Sequence, residues 1–156
     1  MRIEPLAANP GFIPELARIF RAEWSHLVPA WSEEDFLATV RQRARVSGLP
    51  FSLVLKDEVG DLAGVVSLKE SDLDARPELG PWLASLYVKP ALRRQGHALS
   101  LIGAMEAEAR LRGYRQLYLF TEDLVDFYGR RGYRILDLGE RAGHSVTIMV
   151  KELASQ

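Results

Sequence analysis

One stretch narrows the folds open to this chain more than any other: Val88-Lys89-Pro90-Ala91-Leu92-Arg93-Arg94-Gln95-Gly96-His97-Ala98. The apolar run before it, Trp82 to Val88, reads as a strand, and Pro90 marks its exit. From Ala98 onward Leu101, Ile102, Met105 and Ala109 recur at helical spacing, and Gly113 supplies a stop. A strand that passes through a short turn into a long amphipathic helix calls for a mixed α/β fold. The turn itself suits an anion such as a pyrophosphate. The first N–H groups of a helix have no intrahelical partner, and the helix dipole favours negative charge there. Gly96 lets the backbone approach a ligand, and Arg93 and Arg94 add positive charge. Taken alone, Arg-x-x-Gly-x-Ala is too short to carry a function; its context must do so.

The remaining elements follow from periodicity and turn chemistry. Residues 2–7 read as a short strand, and Asn9-Pro10-Gly11 opens a helix with Pro14 in its first turn. Ile13, Leu16, Ala17, Phe20 and Trp24 form its apolar stripe, and Pro29 is expected to end it. Ser32-Glu33-Glu34-Asp35 resembles a capping box before the stripe of Phe36, Leu37, Val40 and Ala44, with Gly48 as the expected stop. Phe51–Lys56 and Leu62–Lys69 read as strands of an antiparallel hairpin around Asp57–Asp61, and residues 70–81 read as a loop. Leu117–Phe120 reads as a buried strand, Leu124–Arg131 as a short helix closed by Gly132, and 133–138 and 145–151 as two further strands. The order is β-α-α-β-β-β-α-β-α-β-β, a mostly antiparallel mixed sheet with flanking helices, in one domain over residues 1–156.

Composition narrows the function classes. The 156 residues carry 47% apolar and 26% charged side chains and a net charge of −1, so no global field draws the protein to nucleic acid or anionic lipid. No apolar run approaches a membrane span, and Met1–Pro5 lacks the apolar core of a signal peptide; the expected compartment is the cytoplasm. With no cysteine, disulfides, thiolate metal sites and acyl-cysteine chemistry are excluded. His26, His97 and His144 lie far apart in the chain without ligand spacing, so no metal is expected.

A second motif is Asp126-Phe127-Tyr128-Gly129-Arg130-Arg131-Gly132-Tyr133. Phe127 and Tyr133 read as core aromatics. Tyr128 acquires a chemical reading if it lies beside the anion-binding helix. A phenol, with an ordinary pKa of about 10, keeps its proton at neutral pH and can donate it to a leaving thiolate.

The two motifs together resemble the GNAT-family N-acetyltransferases. The likeness covers the strand Leu83–Val88, the turn Arg93-x-x-Gly96-x-Ala98, the helix through Arg112-Gly113-Tyr114, and the unit ending Phe127-Tyr128-x-x-x-Gly132-Tyr133. The resemblance implies acetyl-CoA as donor, its pyrophosphate on Arg93, Arg94, Gln95, Gly96, His97 and Ala98. It implies a pantetheine arm lying between splayed strands 82–88 and 117–121, along Leu86, Tyr87 and Val88, with Tyr128 as general acid. It further implies direct attack by a primary amine of a small molecule or peptide in a ternary complex, and the family's frequent dimers make a homodimer an expectation. A non-catalytic acetyl-CoA sensor and a protein- or tRNA-modifying acetyltransferase are the alternatives; the near-neutral charge argues against nucleic acid as partner.

Three departures from the family pattern bear on the site. Ala98 stands where many members carry glycine. Thr121 stands seven positions before Tyr128, where many carry an asparagine that touches the cofactor. Trp82 stands near the place of a glutamate base, and no carboxylate occupies that strand. An alkyl amine with a pKa of about 10 must lose a proton before attack, so a base is sought among Glu70, Glu122, Asp123 and Glu23. Glu70 is the first candidate because it ends the neighbouring strand. The acidic loop Glu70–Glu78 is expected to draw a cationic amine, and Trp24, Trp31 and Trp82 to shape an acceptor pocket.

Overall fold

The computed structural model describes residues 1–154. Seven strands form one sheet in the order β1-β2-β3-β4-β5-β7-β6. They are β1 (Arg2–Pro5), β2 (Phe51–Lys56), β3 (Leu62–Lys69), β4 (Trp82–Val88), β5 (Gln116–Thr121), β6 (Arg134–Arg141) and β7 (His144–Glu152). Four helices flank it: α1 (Ile13–Trp24), α2 (Glu33–Gln42), α3 (His97–Leu111) and α4 (Val125–Gly129). All neighbouring strands are antiparallel except β4 and β5. The element order and the mixed, mostly antiparallel sheet are those expected from the sequence. No helix is long and apolar enough to cross a membrane among the described residues.

The strand alternation assigns each face of the sheet to a helix layer. Phe51, Leu53, Leu55, Val66 and Leu68 point to one face and pack with Leu101, Ile102 and Met105 of α3. Val54, Leu62 and Val65 lie in the opposite core with Leu16 and Phe20 of α1 and Phe36 and Val40 of α2. The sheet thus separates the α3 side from the α1/α2 side.

The starts of α2 and α3 follow from their local chemistry. Ser32 caps α2 by accepting from Asp35 N at 3.2 Å, while Ser32 N donates to Asp35 Oδ2 at 2.8 Å, completing the capping box. α3 has no side-chain cap at all: Gly96 occupies its N-cap in the left-handed region, φ 83°.

Two expected helix stops differ. α1 ends at Trp24, and a 3-10 turn over Ser25–Leu27 carries the chain away before Pro29 is reached. α2 ends at Gln42 rather than at Gly48, because Arg43 leaves the helix to be buried. Its carbonyl accepts from Ser52 N of β2 at 3.2 Å, so the chain exchanges helical bonding for the sheet there.

Candidate active site

The parallel pair at the centre of the sheet is nearly unpaired. β4 and β5 share one register position, Trp82 with Tyr118, next to the bond from Tyr118 N to Pro81 O at 3.0 Å. β4 also carries a bulge. Val65 pairs with Tyr87 and Ser67 with Ala84, so Ser85 and Leu86 together oppose Val66. Ser85 takes a left-handed φ of 54°, uncommon for a side chain of its kind.

A cavity of about 440 Å³ opens where these strands part, lined by Leu83–Leu86 of β4, Leu119–Thr121 of β5 and Tyr128 of α4. From the α1/α2 side Trp24, Trp31, Phe36 and Arg43 also line it. Tyr128 is buried, its ring edge-on to Phe127 at 5.1 Å and to Tyr133 at 5.8 Å. Burial pushes its phenol up to about 12. Thr121 is buried on the same wall, and its Oγ1 accepts from Leu124 N at 2.9 Å, which ties β5 to the start of α4. Tyr133 lies in the core, donating to Glu106 Oε2 at 2.9 Å; burial and the neighbouring carboxylate both raise its pKa.

The turn beyond β4 is open and basic. Arg93 Nε donates to Val88 O at 2.7 Å, and its guanidinium lies 5.3 Å from the Tyr87 ring. Arg94 and Gly96 both have positive φ, 64° and 83°, a backbone form that gathers N–H groups into anion-binding concavities. Arg94, Gln95 and Gly96 are exposed, while His97 and Ala98 are half-buried. Nothing lies within 4 Å of where a Cβ on Gly96 would stand, and His97 Nε2 is buried without a partner. Leu86 and Tyr87 are half-buried and Val88 is buried, on the strand that leads from the cavity to this turn.

Several expected residues stand elsewhere. Glu70 is exposed past the end of β3 and does not line the cavity. Glu23, Glu122 and Asp123 do, and so does Asp72. Within the loop, Asp72 is held by Lys69 at 2.7 Å and Arg141 at 3.4 Å, and Glu78 by Arg76 at 2.9 Å. Two of the loop's four carboxylates, Asp72 and Glu78, are therefore answered inside the protein. Trp24 and Trp31 line the cavity, but Trp82 is fully buried in a core of its own with Leu73 and Ile148.

Two arrangements escape sequence reading. Glu122 Oε1 meets His26 Nε2 at 3.1 Å across 96 positions of chain, and the His26 ring lies 5.1 Å from that of His144. Arg43 Nη1 reaches the hydroxyls of Ser67 and Ser85, both at 2.9 Å. The sequence signal for the latter is a serine inside each of three largely apolar strands, Ser52, Ser67 and Ser85.

Comparison with known proteins adds a family and a fold. Residues 13–133 match the acetyltransferase (GNAT) family. Among solved structures, an aminoglycoside 6'-N-acetyltransferase complexed with coenzyme A superposes with a TM-score of 0.79 at 17% identity, covering 100% of this chain and 99% of its own. An aminoglycoside 6'-acetyltransferase type Ii gives 0.76 at 21% identity, with 100% and 99% covered. The aminoglycoside 6'-N-acetyltransferase from Enterococcus faecium gives 0.73 at 18%, with the same coverage.

Proposed function

Because the chain belongs to the GNAT acetyltransferase family, we propose that it transfers the acetyl group of acetyl-CoA to a primary amine of a small molecule or peptide, by direct attack in a ternary complex. One observation carries this reading. The opening between β4 and β5 and the buried phenol of Tyr128 meet at a single cavity.

The residues present suit the donor. The uncapped start of α3, the open space at Gly96 and the orphaned His97 Nε2 are what an oxygen-rich diphosphate would complete. Arg93 to Ala98 would hold it, with Leu86, Tyr87 and Val88 bordering the arm and Thr121 beside the thioester. Acetyl-CoA supplies an activated acyl carbon, to which the acceptor nitrogen bonds as the carbon–sulfur bond breaks.

Tyr128 serves the sulfur. With its pKa pushed up to about 12, it is fully protonated at neutral pH. It also holds that proton more tightly than a thiol near 8.5 does, so a hydrogen bond to the developing thiolate is favoured over complete transfer. Glu122, coupled to His26 on the cavity wall, takes the proton that the amine sheds; Asp72 is committed to its cationic partners and Glu70 stands outside. The thiolate leaves hydrogen-bonded to Tyr128 and takes a proton from water, while Glu122 returns the amine's proton to solvent, so the products are an acetamide and free CoA thiol.

The neighbours' named substrates, aminoglycosides, show only that this fold hosts amine acceptors of that kind elsewhere. Calorimetric titration of acetyl-CoA tests the donor half directly. Saturable binding is expected, and an absence of heat at millimolar ligand would remove the reading.

A further inference from the structure

Arg43 is a buried cation with only neutral partners. It is 4% exposed, and it stands on the α1/α2 side of the sheet with its guanidinium carbon 4.8 Å from the Phe20 ring centre. Three serines form its seat. Nη1 donates to Ser67 Oγ and Ser85 Oγ at 2.9 Å each, and Ser52 Oγ meets Ser67 Oγ at 2.6 Å. Ser52 and Ser67 are themselves buried within apolar strands. This arrangement fixes the orientation of the group but leaves its charge unanswered.

An uncompensated buried charge is costly, and such charges are normally paired. Burial lowers the Arg43 pKa to about 10, which still leaves it cationic at neutral pH. Among the described residues no carboxylate comes within the 4.0 Å of an ion pair with it. Asp72, whose charge it feels, is already bonded to Lys69 and Arg141. Nη1 has spent both hydrogens on serines, and the buried Nε has no partner. Nη2, which neither bonds to a described residue nor is buried, is the nitrogen left to meet a carboxylate from the cavity by a charge-assisted bond.

The position is functional as well as orphaned. Arg43 lines the same cavity as Tyr128, and through Ser85 it is tied to the bulge of β4. The cavity, at about 440 Å³, is at the small end of sites for small molecules, roughly 300–1,000 Å³. A neutral or polycationic acceptor would leave the guanidinium without a counter-charge. The cavity walls carry Lys69 and Arg141 beside Arg43, against the carboxylates Glu23, Asp72, Glu122 and Asp123. Lys69 and Arg141 are both spent on Asp72, which leaves Arg43 as the cation without a carboxylate of its own among the described residues of the wall.

We propose that the acceptor is a small amino acid, an amine with a carboxylate on the same compact molecule, and that Arg43 binds that carboxylate. This rests on the acetyl-transfer reading above. It deepens that reading by choosing small amino carboxylates over peptides and over polycationic amines.

The test compares matched acceptors: a panel of amino acids and their primary carboxamides, assayed by CoA thiol release with wild-type protein. The carboxamides have the less basic amine and would react faster if the carboxylate were ignored. The proposal expects the acids to lead in kcat/KM by at least about tenfold, mainly through KM, the scale of one charged hydrogen bond. Arg43→Gln should bring the acid-to-amide ratio toward one, and Arg43→Lys should restore part of it. If Arg43→Gln fails to fold, the wild-type ratio still decides. Acids and amides acetylated equally well would overturn this assignment and leave the acetyl-transfer reading standing. No acetylation of any amine would overturn both.

Discussion

Trp82 and Tyr118 are the one register pair that joins β4 to β5 among the described residues, and their ring centres lie 5.8 Å apart. They act as the vertex from which the two strands diverge. Trp82 is fully buried and its Nε1 donates to Leu79 O at 2.9 Å, so the vertex is held by packing and by one directed bond.

Trp82→Ala should therefore open the vertex as well as the core. Large-to-small changes of a buried aromatic cost about 3–5 kcal/mol. Urea denaturation should show a loss of that size, with weaker acetyl-CoA binding in the protein that remains folded. An unchanged midpoint would mean that Trp82 is not the pin described.

Tyr128→Phe keeps the ring packing against Phe127 and Tyr133 and removes only the donor. The expected outcome is a fall in kcat of about 10²-fold or more, the usual worth of a positioned acid, with acetyl-CoA affinity nearly intact. The pH dependence has a definite sign. The folded pKa of about 12 lies above the ordinary 10.0. Stability from this group is thus full below about pH 10 and declines as pH rises toward about 12, because only the unfolded chain has then lost the proton. The rate profile should show no alkaline fall owed to Tyr128 below about pH 11. A kcat unchanged in the variant would remove Tyr128 as donor.

Gly96→Ala separates strain from ligand contact. The left-handed φ of 83° penalises any Cβ, by about 1–2 kcal/mol. Yet the space around that Cβ is open within 4 Å. Thermal unfolding should therefore register a modest loss, whereas acetyl-CoA affinity should fall by more than tenfold, because the added methyl occupies the anion's place. Equal affinity of the two proteins would move the diphosphate away from this turn.

Glu122→Gln removes the carboxylate that meets His26 at 3.1 Å. Turnover of an alkyl amine at neutral pH should fall by about 10²-fold. A weakly basic amine, which arrives already neutral, should be affected far less. Equal losses with both acceptors would show that Glu122 is not taking the amine's proton.

Much of the scaffold is legible in the chain because its signals are local. Strands 51–56, 62–69 and 82–88 are apolar runs bounded by turn residues, and they form at the expected bounds. Ser32 and Asp35 meet as a capping box since the contact spans three positions. The helix ends were less legible. Pro29 and Gly48 are true breakers, but the chain turns earlier: after Trp24 into a 3-10 turn, and after Gln42 where Arg43 is drawn under the sheet. The site divides in the same way. The turn 93–98 and Tyr128 are read from short motifs, whereas the seat of Arg43 joins serines from three strands and the His26–Glu122 contact spans 96 positions. Glu70 lies outside the cavity lining for the same reason. Where a side chain points beyond the last paired residue, Lys69 with Trp82, depends on register that local sequence does not encode.

The most direct measurement of the central claim is CoA thiol release from acetyl-CoA by the purified protein, run with a broad panel of amines and with mass detection of the acetylated product. Thiol and acetamide should form in equal amounts with at least one amine, and both rates should fall together by about 10²-fold or more in Tyr128→Phe. Silence across the panel, or thiol release without any acetylated amine, would contradict it.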